Sequence, residues 1–96
     1  MELEKKLWTK IEERDNLFEK KKKEYDSFPD AFNYPEVRIW YSGYISPIDE
    51  EIVELANQVL AYYNKELIQD ISDVYDNEFL MSLYNKEKDL NNSKKR

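Results

Sequence analysis

Apolar residues recur at three- and four-residue intervals in two long stretches of the chain, and the rhythm fails between them. In the first stretch Leu3, Leu7, Ile11, Phe18 and Tyr25 form one stripe, Trp8 and Leu17 widen it, and charged residues fill the other faces. This spacing predicts an amphipathic helix over 2–27. The stripe is narrow, and Arg14 and Lys21 or Lys22 interrupt it where a partner would face. That is the look of a seam in a bundle or coiled coil, where polar interruptions set register.

The second stretch begins at Ser46-Pro47-Ile48-Asp49. A serine cap, proline at the first helical position and an acid three residues after the serine predict a helix start, with Glu50 and Glu51 adding favourable charge to the first turn. Ile48, Ile52, Leu55, Val59, Tyr63, Leu67, Ile71 and Val74 continue the stripe, widened by Ala56, Leu60, Tyr62 and Ile68. No proline or glycine follows, so one helix from 47 to about 75 is expected, a tight break at Tyr63-Asn64-Lys65 being the other arrangement. Asp76-Asn77 is the next interruption. Phe79, Leu80, Leu83 and Tyr84 then predict a short helix from about 77 to 88, and residues 91–96, with one leucine behind them and no apolar content, a disordered basic tail. Residues 1–90 are expected to be a single helical domain.

Between the two stretches lies Phe28 to Pro47, FPDAFNYPEVRIWYSGYISP, with all three prolines, the only glycine and many of the aromatic residues. Phe28-Pro29 must end the first helix, because the residue before a proline is pushed out of the α region and proline donates nothing to the ladder. Pro35 prevents quick resumption. The run EVRIWYS then has strand character, with Val37, Ile39 and Tyr41 on one face and Arg38 and Trp40 on the other, followed by a Ser42-Gly43 turn. A lone strand leaves backbone groups unpaired. A hairpin through Tyr44-Ile45, a second copy or a partner protein would complete it, and an extended aromatic loop would avoid the need. The expected fold is mainly α: two long antiparallel amphipathic helices, an aromatic connector with a short strand or hairpin, and a short C-terminal helix. Dimerisation would complete a core this limited.

Composition narrows the chemistry. Ninety-six residues suffice for one modest core, and fourteen aromatic residues among 38% charged ones point to a chain that folds. Cysteine and histidine are both absent, which removes thiol nucleophiles, zinc-thiolate sites, the commonest general base and the commonest transition-metal ligand. No apolar run approaches a membrane span, and the N-terminus is charged rather than leader-like, so a cytoplasmic protein without membrane contact is expected. The net charge of −6 hides an asymmetry: residues 36–85 carry Arg38 and Lys65 against ten acidic side chains, a net of −8. Such a middle repels phosphate backbones, so nucleic-acid affinity is not expected of it.

Weighed for chemistry, most candidates reduce to solvated charge. Lys20–Lys23 cover more than a full turn and are bracketed by Glu19 and Glu24, so they do not gather on one face. Asp70, Asp73, Asp76 and Asn77 lack the glycine and alternation of a calcium loop. Glu50, Glu51 and Glu54 near Tyr62 or Tyr63 lack any evident pocket to part their pKa values. No enzyme, cofactor or metal is expected. Among the aromatic insert, Phe28, Phe32, Val37, Ile39 and Trp40 are expected in the core, with Arg38, Tyr41 and Tyr44 the better candidates for outside contacts. The candidate protein-binding set is Arg38, Trp40, Tyr41, Tyr44, Glu50 and Glu54. These observations suggest a non-enzymatic protein-binding module, such as an adaptor, inhibitor or immunity-type factor. It would occupy another protein's surface, with a homodimer expected. The order strand, capped helix, second helix also allows a dimeric regulator of ribbon-helix-helix type, whose strand would lie in the DNA major groove.

Overall fold

The computed structural model describes residues 2–25, 31 and 33–94, with side chains as far as Asp89. The first predicted helix is present but shorter: α1 is Glu2–Lys22. Leu7, Trp8 and Ile11 are buried, with Leu3 and Leu17 packed against the same core. Glu2 and Glu4 in its first turn and Lys20 to Lys22 in its last suit the helix dipole. Its end tightens into i+3 hydrogen bonds, Glu24 N–H donating to Lys21 O at 3.0 Å and Tyr25 N–H to Lys22 O at 3.2 Å. Phe28, Pro29 and Phe32, expected at the helix stop and in the core, lie outside the described residues.

The strand expected over residues 36–42 is a helix. Tyr34 is extended (φ −85°, ψ 133°), and Pro35 at the first helical position starts α2, Pro35–Trp40. α2 passes without a break into a π-helical turn, Tyr41–Ile45, and then into α3, Ser46–Tyr62. The physical reason lies in which side chains go inside. Val37 and Ile45 are fully buried and Trp40 and Tyr41 half-buried, a helical spacing, while Ile39, which alternation would place with Val37, is 73% exposed. A helix also satisfies the backbone groups that a lone strand would leave open.

The predicted serine cap is corrected too. Ser46 is itself α-helical (φ −56°, ψ −42°), and no side-chain cap bond is made at the start of α3. Pro47 sits inside a continuous helical path, where it offers no N–H and its ring crowds the carbonyl four residues back, that of Gly43. The wider turn just before it relieves the crowding: Ser46 N–H donates to Tyr41 O, five residues back.

One helix from 47 to about 75 is not what forms. α3 stops at Tyr62 because Asn64 takes the left-handed conformation (φ 57°), with Lys65 N–H donating to Leu60 O at 2.8 Å and Asn64 N–H to Ala61 O at 3.1 Å. This paired closure is a Schellman motif with asparagine in the position glycine usually holds. The irregular segment that follows is clamped by Asn57, whose Oδ1 accepts from Ile68 N–H (2.8 Å) while its Nδ2 donates to Ile68 O (3.0 Å). Asp70 then opens α4, Ile71–Asp76, through a capping box with Asp73. Asn77 accepts from Leu80 N–H at 3.0 Å and opens α5, Glu78–Lys94, which continues six residues beyond the expected end at Lys88.

Long-range pairs fix the arrangement. Moving up α1, Glu4 meets Tyr63, Lys10 meets Glu51, Arg14 meets Asp49, and Phe18 meets Trp40 and Tyr41, so α1 runs antiparallel to the path from Pro35 to Tyr62. The two long antiparallel helices are therefore as expected. α4 and α5 pack beside α3 along α1, with Tyr75 on Arg14 and Asp15 and Tyr84 on Trp8. Leu7, Ile11, Ile52, Ala56, Val59, Leu60, Val74 and Leu80 close the core between them. No strand occurs among the described residues.

Two alanine substitutions should move stability in opposite directions. A Cβ at Gly43 meets nothing within 4 Å and its φ is not positive, so Gly43→Ala should raise stability by about 0.5–1 kcal/mol through lower unfolded-state entropy. Asn64→Ala keeps a Cβ in the left-handed region but removes the short polar side chain that eases this conformation, and should cost about 1 kcal/mol. Thermal unfolding followed by circular dichroism reads both, about 4–8 °C per kcal/mol at this size. A Gly43→Ala protein that melts lower contradicts the open helical turn at 41–45.

Candidate functional site

Arg14, which breaks the α1 stripe, is held in a largely buried ion pair. Its Nε donates to Asp49 Oδ1 at 2.5 Å, with the two side chains only 15% and 12% exposed. Asp49 is the one buried charged residue among those described. Its second oxygen accepts from the Tyr41 hydroxyl at 2.6 Å. The guanidinium donates at 3.5 Å to the hydroxyls of Tyr41 and Tyr75, and Tyr75 donates on to Asp15 Oδ1 at 3.2 Å. The same guanidinium lies over the Phe18 ring (4.7 Å) and near the Tyr75 ring (5.4 Å). A buried carboxylate with both oxygens bonded and a buried cation stacked on aromatics is a satisfied network.

The electrostatics follow from that packing. Burial works against the charge on Arg14, but the hydrogen bond and field of Asp49 more than offset it and hold its pKa above the ordinary value. Burial, and then the bond to Asp49, push the Tyr41 phenol up. Burial and the charge of Asp15 push Tyr75 up to about 12, against the opposing pull of Arg14.

Above this network opens a groove of about 510 Å³ between α3 and the start of α4, lined by Tyr41, Ser46, Asp49, Glu50, Val53, Glu54, Gln69, Asp70 and Ile71. Three of the predicted site residues, Tyr41, Glu50 and Glu54, are brought together here. The other three lie on the segment leading into it. Trp40 is half-buried, edge-on to Phe18 at 5.5 Å with the Lys21 ammonium 5.5 Å from its ring centre. Arg38 is exposed, and Tyr44 is 65% exposed. Tyr44 lies four residues from Trp40, neighbours on a helical surface. Ile39, expected in the core with Val37, is out with them, and Val37 is in.

Sequence reading missed Arg14 and Asp49 as a pair and Val53, Asp70 and Ile71 as groove walls. The available signal was a charge inside each apolar stripe, Arg14 on α1 and Asp49 on α3, of opposite sign. Of the lysine run, only Lys21 is half-buried, pairing with Glu24 at 3.5 Å; Lys20, Lys22 and Lys23 are exposed as expected of a solvated end. Asp70 and Asp73 act as helix caps. Among the described residues no group of three or more acids is placed to hold a metal ion, and no helix is long and apolar enough to cross a membrane. Comparison with known proteins adds no relative: no family model, no curated protein and no solved structure matches the chain.

Two tests read the buried network. Arg14→Met and Asp49→Leu should each cost about 3 kcal/mol in urea unfolding, since each strands a buried charge, while the double substitution should cost clearly less than their sum. Additive losses would mean the pair is not coupled. On the alkaline side, the folded pKa of Tyr75 lies above its unfolded value near 10, so its contribution to stability is complete below pH 10 and is lost as pH rises toward 12. Ultraviolet titration of tyrosine ionisation should show a late-ionising class, Tyr41 included, that loses one member in Tyr75→Phe.

Proposed function

We propose that the chain is a non-enzymatic protein-binding module that acts by occupying a partner protein's surface, as an adaptor, inhibitor or immunity-type factor does. The observation carrying this reading is the exposed segment Tyr34 to Tyr44, where Tyr34 (51%), Ile39 (73%) and Tyr44 (65%) stand in water beside Arg38 and next to an acidic groove. Tyrosine and arginine with an aliphatic neighbour are the side chains from which binding hot spots are made. Four of the nine groove residues are acidic and none is basic, which favours a basic partner surface, the nucleic-acid-binding face of an enzyme being one kind. The absence of histidine and cysteine supports the non-enzymatic part. A ribbon-helix-helix regulator needs a paired strand at residues 36–42, and a helix stands there, so no observation favours that reading.

The test begins with affinity capture from the source cell to identify the partner, followed by measurement with the purified pair. Ile39→Ala with Tyr44→Ala should weaken binding about 30-fold, with the helical circular-dichroism signal unchanged. Unchanged affinity removes the segment from the interface, and salt-sensitive binding of duplex DNA by the chain overturns the reading. Sedimentation of the chain alone, at high micromolar concentration, reads the proposed homodimer. An 11.7 kDa species there excludes it.

A further inference from the structure

The four acids at the start of α3 divide into two classes. Asp49 is bonded by Arg14 and Tyr41, and Glu51 is paired with Lys10 at 3.0 Å. Glu50 and Glu54 make no ion pair among the described residues, and both are exposed and line the groove. Four residues apart on one helix, they are surface neighbours of like charge, a repulsion that a cation placed between them would relieve. Asp70 adds a third carboxylate across the groove, and the wall between is apolar, from half-buried Val53 and Ile71. Glu54 also borders a second groove, between α3 and α1, where Lys5, Lys6 and Lys10 stand and Lys10 is taken by Glu51; among the described residues no lysine lines the groove toward α4.

We propose that the groove between α3 and α4 is the docking site for an arginine-bearing segment of the partner protein, a step that rests on the protein-binding reading above. The guanidinium fork is taken by Glu50 and Glu54, and the aliphatic stem lies on Val53 and Ile71. Arginine suits the site better than lysine, because its planar donors reach two carboxylates at once and its weaker hydration lowers the cost of entering a partly apolar groove. Charge complementarity names this occupant: the lining offers carboxylates and apolar carbon, and no cationic side chain of its own fills it.

The experiment uses the full chain, 15N-labelled, titrated with a blocked tetrapeptide alternating arginine and leucine, and with its glutamate-leucine counterpart as control. The expected result is a saturable shift of the backbone amides at 50, 53, 54, 70 and 71 with the arginine peptide alone. Glu50→Gln with Glu54→Gln should weaken that binding at least fivefold while amide shifts outside the groove stay in place, showing an intact fold. Shifts that spread over the whole acidic surface, that fail to saturate, or that survive the double substitution overturn the proposal. If the peptide fails while Ile39→Ala with Tyr44→Ala still weakens the partner complex, the groove assignment falls alone. If those substitutions also leave the complex unchanged, the segment Tyr34 to Tyr44 falls from the interface too; the parent reading falls when the chain binds duplex DNA in a salt-sensitive way.

Discussion

One buried ion pair, Arg14 with Asp49, sets the registration of the two long helices. Apolar stripes slide over one another at low cost, because one leucine fills a hole about as well as another. A guanidinium and a carboxylate taken out of water tolerate only the register in which they meet, since a displaced charge would be left unpaired at several kcal/mol. The side chains here are less than one-sixth exposed, and both carboxylate oxygens are used. Phe18, Tyr41 and Tyr75 pack around the cation, so α1, the π-helical turn, α3 and α4 all meet at this one side chain.

The pair also links the interior to the candidate surface. Tyr41 bonds Asp49 from within the π-helical turn, and Asp49 in turn forms part of the groove whose rim is Glu50 and Glu54. The groove proposed for a partner is thus built on a wall that cannot move without disturbing the ion pair. A rigid wall lowers the ordering cost of binding, which is how a modest groove gains affinity.

Much of the fold was legible because helical periodicity is a strong signal. Both stripes, the terminal helix and the antiparallel pairing follow from spacing, and Arg14 stood out as an interruption. What failed were decisions in which two local preferences compete. Val37, Ile39 and Tyr41 fit a strand by alternation and β-branching, yet 37, 41 and 45 fit a helix equally, and burial of Val37 and Ile45 decided for the helix. Asn64 is a weak breaker by composition, but its tolerance of the left-handed conformation stopped α3, with Asn57 answering the backbone of Ile68. The candidate site was half legible: Tyr41, Glu50 and Glu54 converge, whereas the walls supplied by Asp70 and Ile71 depend on a chain reversal that no residue spacing displays.

The exposure of Tyr44 traces back to Pro47. Counting backward from Ile48 in an ordinary α-helix, position 44 is one turn away on the same inward face, and Tyr44 would lie against the core beside Ile45. Pro47 makes that turn unfavourable, since its ring meets the carbonyl of Gly43 and its nitrogen has no hydrogen to give. Closing the turn from Ser46 to Tyr41 instead takes in one more residue, and every position before it is rotated relative to α3. Ile45 keeps its buried place, Tyr41 reaches Asp49, and Tyr44 is carried out to 65% exposure. The proline that looked like the start of a helix thus sets, through one wide turn, which aromatic ring serves the interior and which stands in solvent.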